Sequence, residues 1–196
     1  MAELSSVAVF CGSSPGADPR FAEAAAQFGR VLAARGIRLI YGGGHVGLMG
    51  TVADAVLAAG GEVVGVITRA LQAKEIAHRG LSELRVAETM HERKAAMAEL
   101  ADAFVMLPGG FGTWDEFMEA VTWTQLGIQR KPCGVLEVGA FFEPLREFMN
   151  LATTERFIRP EHRDLVLMES TPEGLLDRLA AWRPVAGDKW VDRPKG

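Results

Sequence analysis

The segment LPGGFGTWDE, Leu107 to Glu116, sets three glycines in four positions just before two acids at a helix start. Backbone N–H groups at Gly109, Gly110 and Gly112 can approach a ligand with no side chain in the way. The helix N-terminus that follows adds a partial positive charge, so the loop suits a phosphate. The Thr113 hydroxyl is expected either to cap the helix or to donate to the anion. A carboxylate beside an anion is unfavourable unless a cation or a reaction compensates it. Glu116, within one turn of the loop, is placed to face a sugar carried by that phosphate. Asp115 points a quarter-turn or more round the helix and is expected in solvent, where it complements the helix dipole.

The compensating cation is found in TMHERKAAM. A helix opening near Thr89 puts Arg93 and Lys94 close to its N-terminal end, although a solvated helix surface is the ordinary fate of such a pair. Met90 and Met97, a heptad apart, are expected to pack in the core or to floor the pocket. His91 has no second ligand at metal spacing beside it, so no metal site is expected. Breaking a ribosyl C–N bond passes through an oxocarbenium-like centre, which a carboxylate can stabilise while orienting or deprotonating water. Glu116 suits that role, and Arg93 suits positioning of the substrate and balance of charge.

These residues need elements to position them. SVAVFC, RLIYGG, EVVGVI, ELRVAE, AFVMLPGG, CGVLEV and DLVLME read as strands, most of them continuous apolar runs of the kind found in a parallel sheet covered on both faces. Helical spacing marks PRFAEAAAQFGRVLAARG, GLMGTVADAVLAAGG, MHERKAAMAELA, TWDEFMEAVTWTQLG, FFEPLREFMNLA and PEGLLDRLAAW. The alternation predicts a doubly wound α/β fold, with the ligand crevice outside the carboxyl ends of the strands. Three glycine-rich strand-to-helix loops fall there: CGSSPGADP, YGGGHVGLMG and PGGFGTWDE. One nucleotide-binding domain is expected over residues 1–182, with a linker-like TRALQAKEIAHRGLS inside it. Residues 183–196 read as a polar tail.

A formal net charge of −4 and a pI near 5.6, without a basic cluster, argue against a nucleic-acid surface. No run reaches bilayer-spanning length and the N-terminus lacks a signal-like pattern, so a cytoplasmic protein is expected. Cys11 and Cys133, without CxxC spacing, read as buried hydrophobes in a reducing compartment. YGGGHVGLMG lacks the GK[ST] of a P-loop and CGSSPG does not match GxGxxG, so a mononucleotide fits better than a dinucleotide or an ATPase cycle.

Taken together, CGSSPG, YGGGHVGLMG, MHERKAAM and LPGGFGTWDE resemble the Lonely Guy family of cytokinin-activating enzymes, marked by a PGGxGTxxE segment. The resemblance implies a Rossmann-like homodimer that hydrolyses the N-glycosidic bond of a nucleoside 5′-monophosphate to free base and ribose 5-phosphate, without a cofactor. By position it assigns catalysis to Arg93 and Glu116. Substrate contacts fall on Lys94, on Gly110, Phe111, Gly112, Thr113, Trp114 and Asp115, on Glu75 in KEIAH and on Thr122 in VTWTQLG. Phe111 stands where plant members commonly have Tyr, and WDE replaces the common LEE, which bears on the preferred base more than on the reaction.

Two rival activities are consistent with the same fold. A nucleotide or cofactor carrier would use the glycine cradle without cleaving anything, and the presence of both Arg93 and Glu116 favours the enzyme. A decarboxylase of basic amino acids would need a lysine to hold pyridoxal phosphate, and no lysine has a persuasive setting.

Overall fold

The computed structural model describes residues 4–74 and 77–184. In chain order its elements are β1 (Ser6–Phe10), α1 (Pro19–Ala34), β2 (Arg38–Tyr41), α2 (Gly47–Ala58), β3 (Val63–Thr68) and α3 (Arg69–Gln72). They continue with β4 (Glu83–Ala87), α4 (Met90–Leu100), β5 (Ala103–Met106), α5 (Phe111–Gln125) and β6 (Cys133–Leu136). The last are α6 (Glu143–Thr154), α7 (Pro160–Arg163), β7 (Val166–Glu169) and α8 (Pro172–Ala181).

The seven strands form one sheet in the order β4-β3-β2-β1-β5-β6-β7, and every pairing is parallel. This is the doubly wound α/β, Rossmann-like arrangement expected from the alternating pattern. Side chains alternate across each strand, so β1 sends Val7 and Val9 to one face and Ala8 and Phe10 to the other. On the first face they pack with Phe28 and Leu32 of α1, Val52 of α2 and Leu175 of α8; on the second, with Met97 of α4, Phe117 of α5 and Met149 of α6. Helices on both faces leave β1 and β3 buried at every position and apolar at nearly all of them, whereas edge strand β4 is half exposed.

Sequence order reverses at β1, whose neighbours are β2 and β5. Loops leaving β1 and β5 therefore diverge to opposite faces, and the crevice they leave is where doubly wound sheets take ligands. Two short helices, α3 and α7, escape the hydrophobic pattern because four residues are too few to show a period. The segment read as a linker is anchored: Ala77 bridges Gly44, and the His78 N–H donates to Gly43 O at 2.9 Å. Most of the expected polar tail, from residue 185 on, lies outside the described residues.

Candidate active site

Helix α5 begins at Phe111, two residues earlier than its hydrophobic pattern suggests, with Gly110 as its N-cap. Thr113 is therefore not the cap, which corrects that half of its expected role. It is buried in the first turn, where its side chain folds over Gly109: a Cβ on Gly109 would stand 2.2 Å from Thr113 Oγ1 and 2.9 Å from the Gly12 nitrogen. The early start leaves the amides of Phe111, Gly112 and Thr113 in the first turn, without intrahelical acceptors.

The first and third glycine loops are tied together. Gly12 N–H donates to Pro108 O at 2.9 Å, and Leu107 N–H to Phe10 O at 2.9 Å. The Gly12 carbonyl in turn accepts from the Leu48 and Met49 amides at the start of α2, at 2.9 and 3.3 Å, bringing in the second loop. Gly47 has φ +60°, and a Cβ there would come within 2.3 Å of the Ser13 carbonyl carbon, so only glycine allows this approach. Between the loops lies a cavity of about 260 Å³ bounded by Gly12, Ser13, Ser14, Gly109 and Gly110, with Phe21 and Phe141 at its apolar side.

On the neighbouring side of the crevice α4 and α5 meet. Thr89 caps α4 by accepting from the Glu92 amide at 3.1 Å, while the Glu92 carboxylate reaches back to the Glu88 amide at 3.0 Å. This fixes the first turn and points Arg93 inward, where it is only 5% exposed, rather than along a solvated surface. Its Nε donates to Val66 O within β3, 2.8 Å away, and its Nη1 donates to Glu116 Oε1. The Glu116 side chain is itself only 13% exposed. Its charge reaches the end of β1: burial first, and then Glu116, push the Cys11 thiol well above its ordinary range. Cys11 is consequently an inert thiol rather than a nucleophile.

Lys94, the next residue, pairs with Asp115 at 2.6 Å and Glu119 at 3.2 Å. Partial burial works against its charge, yet the hydrogen bonds it donates to the two carboxylates prevail and raise its pKa above the usual lysine value. Asp115 is exposed, as expected, but it is engaged with Lys94 rather than simply solvated. Met97 is fully buried in the core, whereas Met90, at the first position of α4, is 45% exposed, which rules out the core half of its expected placing. Phe111 and Trp114 stack edge to face at 5.4 Å, with Phe111 largely open to solvent and Trp114 about half covered. Thr122 donates to Met118 O at 2.7 Å on the exposed stripe of α5 that carries Asp115 and Glu119; nearly two turns beyond Glu116, it is not brought to the Arg93–Glu116 pair. Glu75 lies outside the described residues. The sequence reading missed Gly42, Val66 O and Glu119, all of which touch the basic pair; a backbone carbonyl carries no sequence signal, but Glu119 at one turn from Asp115 does.

Among known proteins, a probable cytokinin riboside 5′-monophosphate phosphoribohydrolase of Oryza sativa subsp. japonica is 45% identical over 178 residues, covering 91% of this chain and 73% of that protein. The cytokinin riboside 5′-monophosphate phosphoribohydrolase of Rhodococcoides fascians is 48% identical over 172 residues, covering 87% of each. The chain belongs to this phosphoribohydrolase family. A family model described as "Possible lysine decarboxylase" matches residues 49–179 of the same sequence. Among solved structures, the molybdenum cofactor binding protein from Rippkaea orientalis aligns with a TM-score of 0.69 over 92% of this chain and 98% of its own, at 20% identity. That likeness is of fold. The fold alone therefore does not separate an enzyme from a carrier.

Proposed function

We propose that this chain hydrolyses the N-glycosidic bond of adenosine 5′-monophosphates, including N6-substituted ones, releasing the free base and ribose 5-phosphate. Membership of the phosphoribohydrolase family supports the reaction, and the shared burial of Arg93 and Glu116 beside the glycine loops is the observation that carries it. The amides at the start of α5 hold the 5′-phosphate. Glu116 faces the ribose and stabilises the positive charge that develops at C1′ as the C1′–N bond lengthens. A water oxygen then bonds to C1′ and gives up a proton to Glu116, while the departing base nitrogen takes up a proton, so that the sum is one water added across the C1′–N bond. Arg93 orients the carboxylate and keeps the pair's net charge near zero.

Decarboxylation through a lysine Schiff base is disfavoured by the settings of Lys94 and Lys131. Lys94 is held as an ammonium by two acids, and the Lys131 Nζ donates to Ala98 O at 2.6 Å, next to the start of β6 at the opposite edge of the sheet.

A cytoplasmic homodimer is the form we assign. No described helix is long and apolar enough to cross a membrane, and Cys11 and Cys133 are free and buried. Exposed Met90, Phe111 and Trp114 on the α4 and α5 side support a second copy as the partner. Light scattering of the purified protein at low concentration tests the dimer. Incubation with AMP and with isopentenyladenosine monophosphate, followed by chromatography of base and ribose 5-phosphate, tests the reaction. Release from the monophosphate with little from the nucleoside is expected; no release from either overturns it.

A further inference from the structure

We infer that Gly42 is a positioning residue for catalysis: its missing side chain is the seat of the Arg93 guanidinium. This inference rests on the hydrolytic reading above. Gly42 follows directly on β2, in the second glycine loop, and has no contact with the phosphate cradle of α5. A Cβ built on it would stand 2.3 Å from Arg93 Nη2 and 3.6 Å from Arg93 Cζ, with Met49 Sδ at 3.3 Å. Its φ is not in the left-handed region, unlike that of Gly43 at +75°, so glycine is not required there by the backbone. The requirement comes from the guanidinium.

That group is held on three sides. Nε is bound to Val66 O, Nη1 to Glu116, and Nη2 lies on the Gly42 backbone. A methyl group at residue 42 meets the far end of a flexible side chain rather than fixed backbone, so the fold can yield by moving Arg93 alone. Moving Arg93 breaks its bond to Val66 O or drags Glu116 from the ribose. The carboxylate that must face C1′ is thereby placed by a residue two strands away in the sheet, through a cation, and displacements of about 1 Å in such groups cost about 100-fold in rate.

The test is a double-mutant cycle with Gly42→Ala and Arg93→Lys, followed as kcat and KM for AMP hydrolysis. In the wild-type background Gly42→Ala is expected to lower kcat about 30- to 100-fold and to leave KM within about threefold, because the phosphate loop is untouched. In the Arg93→Lys background, which has no Nη2 to displace, the same substitution should change kcat by less than about threefold. A kcat for Gly42→Ala near wild type, or an equal loss in both backgrounds, overturns the inference. Should Gly42→Ala fail to fold, recovery of the thermal midpoint in the double variant reports the same coupling, and no recovery sinks it. The Arg93 Nε–H resonance, protected in the wild type by Val66 O, gives a readout that needs no turnover. It should move in Gly42→Ala, and an unmoved resonance counts against the seat even if the wild type cleaves no nucleotide, a result that would overturn the hydrolytic reading separately.

Discussion

The Arg93 guanidinium donates to the Glu116 carboxylate from a position where both side chains are nearly closed to solvent, and the residue after one pairs with the residue before the other. Arg93 and Lys94 of α4 thus meet Glu116 and Asp115 of α5 in register. The inner pair is dry, so under the proposed function its field is concentrated on the sugar, and the outer pair is wet enough on its Asp115 side to act mainly as a fastening.

Glu116→Gln keeps the shape of the side chain and removes its charge, so nucleotide cleavage should fall by roughly 100-fold or more, as for loss of a charge-stabilising group worth about 3 kcal/mol. Arg93→Ala should lose at least as much, since it leaves a buried carboxylate without its partner. Steady-state kinetics on folded variants check both, and near-normal rates would remove the assigned roles.

Gly112→Ala should separate stability from function. Nothing lies within 4 Å of a Cβ at Gly112, and the residue is in the first turn of α5. Replacing a helical glycine should add about 0.5–1 kcal/mol of stability. The new methyl group enters the space proposed for the phosphate, so the KM for AMP should rise about tenfold or more. A higher thermal midpoint with an unchanged KM would place the phosphate elsewhere.

Lys94→Met tests whether this amine binds substrate or fastens helices. Already neutralised by Asp115 and Glu119, it is expected to affect kcat by less than about tenfold, with KM for AMP nearly constant and a stability loss of about 1 kcal/mol or less, because Asp115 is largely solvent-screened. A large rise in KM would instead make Lys94 a substrate ligand, as the family resemblance implies.

Arg156 terminates α6 with φ 64°, and its neighbour Phe157 N–H closes back on Ala152 O at 2.8 Å, a helix end that favours glycine. Arg156→Gly should raise stability by about 0.5–1 kcal/mol in denaturant melts and leave kcat unchanged.

Asp102 accepts from the amides and hydroxyls of Ser5 and Ser6 at 2.7–3.0 Å, joining the chain before β1 to the start of β5. Burial opposes its charge, but these hydrogen bonds outweigh burial and hold its pKa below the usual carboxylate value. Its contribution is therefore present above the ordinary aspartate pKa and is lost as pH falls through the lower folded value. Acid unfolding of Asp102→Asn should depend less steeply on pH in that range than wild type, and an unchanged slope would remove Asp102 from the acid limb.

The strands and the longer helices were legible because apolar runs and 3.6-residue spacing survive burial on two faces, as in VVGVIT of β3 and PRFAEAAAQFGRVLAA of α1. Arg93 and Glu116 were legible as types in a motif. Their mutual contact was not, because it joins residues 23 apart on separate crossovers. Gly42 looked like one glycine among several in YGGG, and only the path of the Arg93 side chain distinguishes it from Gly43. Met90 misled because heptad spacing describes a helix middle, and the residue lies at the very first helical position.

That the inner pair straddles α4 and α5 also bears on how the enzyme comes to life during synthesis. A ribosome-bound chain that has emerged only through β5 carries the arginine but no partner for it, and under the roles proposed above it stays catalytically silent whatever it has already folded. Regain of hydrolysis after dilution from denaturant is then a gauge of late docking between the two crossovers, and should lag behind the recovery of helical signal.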